Sequence, residues 1–217
     1  MEIKLTIPAK YIAVLKLFAA EKDTRYYLNG IYLEIGRSET RLIATNGHIM
    51  GVFRVESEQL DIDEPVKNVI IPNEMLKHIK SKGNVEIVLG DSLPDSHERP
   101  VTLDYNGLTV SGQTVDARYP EWQWLFINLK PSGIAAQFNA EDIGRMAKAW
   151  AHLYGKRSPM VAIAHNDDSP ALIGLGDSNF CGVIMPMGKH FVTVPSCAPD
   201  WITGAGSRAV ESEEVEA

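Results

Sequence analysis

YYLNGIYLEIG at residues 26–36 and RLIATNGHIMGVFRV at residues 41–55 are the two stretches on which the reading of this chain turns. Both are dense in Ile, Leu, Val, Tyr and Phe, the residues that suit a pleated, half-buried surface. Asn29-Gly30 and Asn46-Gly47 punctuate them as turn formers, so the region reads as consecutive short strands, YYLNGIYLEIG, RLIATN and GHIMGVFRV.

Working outward, the same order of elements recurs. Before these strands, EIKLTI (2–7) alternates polar and apolar positions as a strand does, and Pro8 suits the first turn of a helix over PAKYIAVLKLFAAEKD (8–23), where Ile12, Leu15 and Phe18 or Ala19 share a face. A second unit repeats the theme: strand KNVIIP (67–72), helix NEMLKHIKSKG (73–83), then strands VEIVLG, VTLDYN and LTVSGQTV, with Asn106-Gly107 as a hairpin turn. The polar run GDSLPDSHERP (90–100) reads as an exposed loop. A third unit offers strand GIAAQF (133–138), a helix over AEDIGRMAKAWAHLYG (140–155) with Asn139 as N-cap, and strands MVAIAH, ALIGLG and NFCGVIMPM. The pattern is α+β, three βαβββ units in series. Past Met187 it stops, and residues 190–217, ending in ESEEVEA, read as an irregular acidic tail.

The 217 residues carry a formal charge of -7, which argues against a protein that coats nucleic acid nonspecifically. The charge is unevenly placed. Residues 8–25, 72–83 and 139–157 hold 11 basic and 5 acidic residues, leaving 10 of the 21 basic and 23 of the 28 acidic residues for the rest of the chain. A basic set of helices on an otherwise acidic protein has two explanations. Exposed helix faces favour Lys and Arg on propensity alone, or the helices line a surface that faces a polyanion.

Catalysis finds no support. His48, His78, His97, His152, His165 and His190 lack metal-ligand spacing, no GxSxG, P-loop or HExxH motif occurs, and the paired acids at Asp167-Asp168 suit a solvated loop. Cys181 and Cys197 form neither a CxxC pair nor part of a Cys/His cluster, so reduced thiols are expected, with no metal and no cofactor. No apolar run approaches the ~18 residues of a membrane span, and no signal sequence opens the chain, so the expected location is cytoplasmic.

RYYLNGIYLE (25–34) with LIATNGHIMG (42–51) closely resembles the middle domain of the bacterial β sliding clamp family, the DNA polymerase III beta subunit. DARYPEW (116–122) resembles the end of that domain, and CGVIMPM (181–187) resembles the end of the family's chain. The resemblance implies a DNA-clamp fold of βαβββ units, about one and a half clamp domains. Residues 1–127 would correspond to the middle domain, 128–189 to half of the last domain, and 190–217 to a tail foreign to the family. In the family, twelve such units ring duplex DNA with helices inside, so four copies of a three-unit chain would suffice for closure. A homo-oligomer is expected, because an unpaired half-domain exposes sheet edge.

The resemblance also implies a hydrophobic cleft for short linear peptides of DNA polymerase and other clamp-binding proteins. Its matching positions are Leu28, Thr45, Gly47, His48, Met50, Pro120, Leu125, Val183, Ile184, Met185, Pro186 and Met187. Methionines and aliphatics make a deformable groove, and Asn46-Gly47 permits the tight turn that would hold His48 at its rim. Ile49 and Trp124 stand where the family carries basic residues, and the tail would begin beside the cleft and could cover it. The helices would offer Lys10, Lys16, Lys77, Lys80, Lys82, Arg145 and Lys148 to the backbone of duplex DNA, nonspecifically. Two functions stay open: a clamp-like processivity factor that tethers a polymerase, and a non-encircling clamp mimic or adaptor that binds the same peptides and modulates host replication proteins.

Overall fold

The computed structural model describes residues 2–56, 66–92, 98–127, 136–155, 159–166 and 169–188. The acidic tail 190–217, the start of the GIAAQF strand and the tip of the 90–100 loop lie outside these. Residues Met1–Met187 form one compact unit.

Eleven strands are seen among the described residues, in two sheets. The first has the order β1 (Ile3–Pro8), β6 (Asn84–Leu89), β7 (Pro100–Tyr105), β8 (Leu108–Gln113). The second runs β5 (Val66–Pro72), β2 (Gly30–Gly36), β3 (Glu39–Thr45), β4 (Ile49–Glu56), β11 (Phe180–Ile184), β10 (Ser169–Gly174), β9 (Ala162–Asn166). The first two units exchange their opening strands. β1 pairs with β6 of the second unit, Ile3 opposite Leu89, while β5 pairs with β2 of the first, Ile31 opposite Ile71. The third unit joins through β11, which lies antiparallel to β4 with Val183 opposite Met50 and Phe180 opposite Phe53.

Alternation explains one sheet and fails for the other. β1 buries Ile3, Leu5 and Ile7 and exposes the residues between, as its sequence predicts. In β2, β3 and β4 most residues on both faces are buried, because both faces of the sheet are covered. Leu33, Ile35, Leu42, Phe53 and Ile184 face the helices in the main core, whereas Tyr32, Ile43, Met50, Val52 and Val183 face a second cluster closed by Tyr119 and Trp122. Tyr119 stacks on Tyr32 at 4.4 Å and 3°. The segment 119–125, a strap across this face, is latched to β2 through Glu34, whose carboxylate accepts from Trp122 Nε1 at 3.3 Å and Gln123 Nε2 at 3.1 Å and also from Arg41 Nη1 of β3 at 2.9 Å. Burial, and then the Glu34 charge, push the Tyr32 hydroxyl up to about 12.

The helices are shorter than their sequence pattern, with one exception. α1 spans only Ala9–Leu15, with Pro8 as its N-cap, and six of its seven residues are buried. It packs against α4 (Ala140–Tyr154), whose Asn139 N-cap accepts from the Glu141 N–H as expected. α2 is a single turn, Asn73–Leu76, in place of the expected 73–83. The cause is visible in Lys16: its ammonium donates to the carbonyls of Leu76 (2.9 Å), Lys77 (3.2 Å) and Ile79 (3.2 Å), which a continuing helix would have kept for itself. The Asn106-Gly107 hairpin forms with both residues at positive φ, 48° and 82°. The strand expected at GIAAQF is reduced, among the described residues, to one bridge between Gln137 and Met187. A short helix at Trp124–Ile127, α3, went unread in the sequence. No described helix is long and apolar enough to cross a membrane.

Candidate functional site

Where β4 meets β11, the outer face of the seven-stranded sheet opens into a cleft of about 210 Å³. Its floor is the register pair Met50 and Val183. One wall is the turn between β3 and β4. Thr45 Oγ1 donates to the Ile49 carbonyl (2.7 Å) and accepts from the Gly47 N–H (3.0 Å), while Asn46 Oδ1 accepts from the N–H groups of His48 (2.9 Å) and Ile49 (3.0 Å). Side-chain acceptors thus satisfy N–H groups that the three residues between β3 and β4 leave without backbone partners. Gly47 sits at φ +92°, and a Cβ there would lie 3.0 Å from the Arg25 guanidinium, so both backbone and packing call for glycine.

The turn fixes the opposite wall as well. The His48 carbonyl accepts from the Met185 N–H at 2.7 Å, which carries the chain beyond β11 along the cleft and leaves Met185 37% exposed. Leu28, from the 3-10 turn Tyr26–Leu28, and Pro120 with Leu125 from the strap complete the lining. A void of this size holds roughly seven waters' worth of liquid volume, facing a mostly apolar lining, and releasing such water to an apolar ligand is favourable.

Nine of the twelve residues expected for the cleft line it: Leu28, Thr45, Gly47, His48, Met50, Pro120, Leu125, Val183 and Met185. Three do not. Ile184 follows Val183 on a strand, so period-two alternation sends it to the opposite face, where it is fully buried in the main core. Pro186 lies outside the lining, and Met187 is drawn away by the 2.6 Å hydrogen bond from its N–H to the Gln137 carbonyl. Arg25 and Tyr27 were missed as lining residues, and Ile49, read from the sequence as a departure from the family's basic residue, lines the cleft as well. Tyr27 adjoins Leu28 in the run RYYLNG, so its proximity was readable from the 3-10 turn had it been expected, whereas Arg25 reaches the cleft by lying against Gly47.

At the rim, Arg25 and Asp23 form a tight pair, with Arg25 donating through its backbone N (2.8 Å), Nε (3.1 Å) and Nη2 (2.7 Å). The Arg25 hydrogen bonds hold the Asp23 carboxyl down to about 2, so the pair persists through the whole neutral range.

The basic residues expected to face DNA divide in the structure. Lys77, Lys80 and Lys82 are exposed, but on the connection from α2 to β6 instead of on a helix. Lys148 is exposed on α4, and its neighbour Arg145 contacts Asp142 at 3.6 Å. Lys10 sits 3.8 Å from Asp177. Lys16 corrects the expectation outright, because its ammonium is turned onto the α2 carbonyls and burial lowers its pKa. Among the described residues no group of His, Cys, Asp and Glu is arranged to hold a metal ion. A larger cavity of about 620 Å³ also includes Pro120 in its lining, and there Glu34, Arg99, Arg118 and Glu121 set charged groups among apolar residues such as Val69, Ile70 and Trp122.

Comparison with known proteins agrees with this fold. The sequence matches the family described as DNA polymerase III beta subunit, central domain, over residues 2–121. It is 34% identical over 113 residues to the beta sliding clamp of Vibrio cholerae, covering 48% of this chain and 27% of that protein. The chain therefore matches about a quarter of that relative's length. Among solved structures, DNA polymerase III subunit beta from Borrelia burgdorferi superposes with a TM-score of 0.60 at 16% identity, covering 86% of this chain and 64% of the other. The DNA polymerase sliding clamp from Pseudomonas aeruginosa gives 0.58 at 17%, covering 86% and 67%. At such identities the likeness speaks for the fold, and it carries the clamp fold past residue 121 into the third unit.

Proposed function

The chain belongs to the DNA polymerase III beta subunit family, whose members are processivity factors and not enzymes, and on that premise we propose that it captures the short linear peptides of a DNA polymerase or other replication proteins in the cleft between β4 and β11. The observation that carries this reading is the convergence of Leu28, Met50, Pro120, Leu125, Val183 and Met185, from both ends of the sequence, on one apolar void. A Leu or Phe anchor buried there contributes about 1.5–3 kcal/mol, so two anchors supply about 3–6 of the ~8 kcal/mol of a micromolar complex and the peptide's polar contacts supply the rest. A Met185→Ala, Leu125→Ala double variant should weaken binding of a fluorescent peptide bearing Gln and Leu-Phe anchors by about tenfold or more, read by anisotropy. Met187→Ala, outside the cleft, should leave it unchanged. Equal affinity of the double variant and the parent chain would remove the cleft from the account.

Holding DNA is the second part of the proposal. Lys77, Lys80 and Lys82 give one exposed basic connection suited to phosphate contacts without base readout. The strands β8 and β9 end their sheets with an unpaired edge among the described residues, and β8 exposes nearly all its side chains, so copies of the chain would associate through sheet edges. Light scattering with nicked circular DNA decides between tether and adaptor. An oligomer retained on circles and released by linearisation is expected of the encircling clamp. A monomer that stays off the circles supports instead the non-encircling adaptor, which the net charge of -7 favours.

A further inference from the structure

A sheet ends safely where its last strand is covered or spoiled for further pairing. The two sheets have four ends among the described residues, at β1, β8, β5 and β9, and three of them are hindered. β1 carries Lys4 and closes on Pro8, which has no N–H to offer. β5 has its edge partly taken, because the Val115 N–H donates to the Ile70 carbonyl at 2.9 Å, and it carries Lys67 and Pro72 as well. β9 meets β10 with a register shift between Ser169 and Leu172, an irregularity of the kind that twists an edge away from a new partner. β8 has none of these devices. Its sequence LTVSGQ contains no charge and no proline, and its register with β7 is unbroken from Tyr105 opposite Leu108 to Pro100 opposite Gln113.

The open groups on β8 follow from the hairpin that leads into it. Asn106 and Gly107 make a two-residue turn, so Leu108 bonds to Tyr105, and Val110 and Gly112 face β7 in the same way. The Thr114 N–H continues that alternation by donating to the Arg99 carbonyl at 3.0 Å. Thr109, Ser111 and Gln113 therefore turn their N–H and C=O groups away from β7. The side chains leave the edge equally unfinished. Leu108 shares a face with Val101, Leu103 and Tyr105, all buried, yet it is itself 44% exposed. Elsewhere the chain completes such an edge. β8 is the last strand of the second unit, as β4 is of the first and β11 of the third. β4 and β11 lie antiparallel, last strand against last strand, and there the core-facing Ile49 and Phe53 are buried.

Resting on the reading that copies of the chain join through sheet edges, we propose that β8 pairs antiparallel with β8 of a second copy, about a two-fold axis at Ser111. Outward groups must meet outward groups, which keeps Leu108 and Val110 on the core side of both copies. Centring on Ser111 lets this residue exchange both its bonds with its own equivalent and sets Thr109 opposite the partner's Gln113, so the outward groups of all three residues are used. Identical strands meet here without like charges, because β8 carries none. A two-fold contact also closes on itself, whereas β8 against β9 of the next copy would run on from copy to copy. The cleft belongs to the other sheet, so each pair presents two peptide sites.

Light scattering of the full chain across a dilution series reads the pairing. Ser111→Lys should halve the mass, since it sets like charges face to face at the axis. Ser111→Pro should halve it as well, by removing an outward N–H that β7 does not use. Thr109→Lys, at a second outward position, repeats the test without touching the backbone. In a chain carrying Cys181→Ser and Cys197→Ser, Ser111→Cys should form a covalent dimer on mild oxidation by diamide. Hydrogen-bonded partners stand about 5.5 Å apart at Cα, within the roughly 4.4–6.8 Å that a disulfide spans. Unchanged mass in Ser111→Lys and Thr109→Lys overturns the inference. If Ala164→Lys, an exposed change on β9, halves the mass while those two retain it, association through sheet edges stands and its place at β8 falls. An oligomer whose Ser111→Cys form yields no covalent dimer overturns the two-fold arrangement. A parent chain that stays monomeric at every concentration removes edge association and this inference together, and leaves the cleft standing.

Discussion

Gly30→Ala is expected to unfold this protein far more readily than the addition of one methyl group suggests, lowering stability by about 3 kcal/mol or more. A Cβ at position 30 would stand 2.4 Å from the Ile71 carbonyl oxygen and 3.1 Å from its carbon. Neither atom is free to retreat, since Ile71 lies in β5 opposite Ile31, and Gly30 itself stands opposite Pro72. Just beyond, the Asn29 carbonyl accepts from the Asn73 N–H at 3.0 Å, so moving β5 away would also loosen the start of α2. Urea unfolding followed by far-ultraviolet circular dichroism would measure the shift in midpoint. A variant within ~0.5 kcal/mol of the parent would show that the two strands separate easily there.

The second large effect is expected at Phe53. It is wholly buried, stacks on Tyr11 of α1 at 4.1 Å and 14°, and meets Phe180 of β11 at 5.1 Å. Phe180 in turn touches Phe18 at 5.9 Å. One ring therefore joins the first helix, the strand under the cleft and the third unit. Phe53→Ala should cost about 3–5 kcal/mol from lost burial and the void left behind, whereas Phe53→Leu should cost less than about 1.5 kcal/mol if the site repacks. Because Phe180 lies on the strand that supplies Val183, peptide affinity should fall with stability in the alanine variant. Full peptide binding by a strongly destabilised Phe53→Ala chain would mean that the third unit holds its place without the aromatic cluster.

The strands were legible because their composition and turns are local signals. β1 alternates as written, the Asn106-Gly107 hairpin forms as written, and Asn139 caps its helix as written. The helix lengths were not legible, since the residue that ends α2 is Lys16, sixty positions upstream of the Leu76 carbonyl it binds. Periodicity within 73–83 carries no trace of that ammonium. The cleft was readable through family resemblance for nine residues, and period two alone would have excluded Ile184. Missing Arg25 had a different cause: its role is to lie against Gly47, and only the fold brings residues 25 and 47 together.

The exchanged strands and the β4–β11 seam impose an order on synthesis. β1 leaves the ribosome about eighty residues ahead of Asn84–Leu89, the strand it pairs with. The cleft waits longer still, for its floor needs Met50 and Val183, which emerge at opposite ends of the chain. At roughly 5–20 residues per second, the nascent chain spends several seconds with one wall built and nothing facing it. The cleft is therefore completed only once Val183 has emerged, and a chain cut short before Phe180 would fold part of its sheet yet lack the cleft floor.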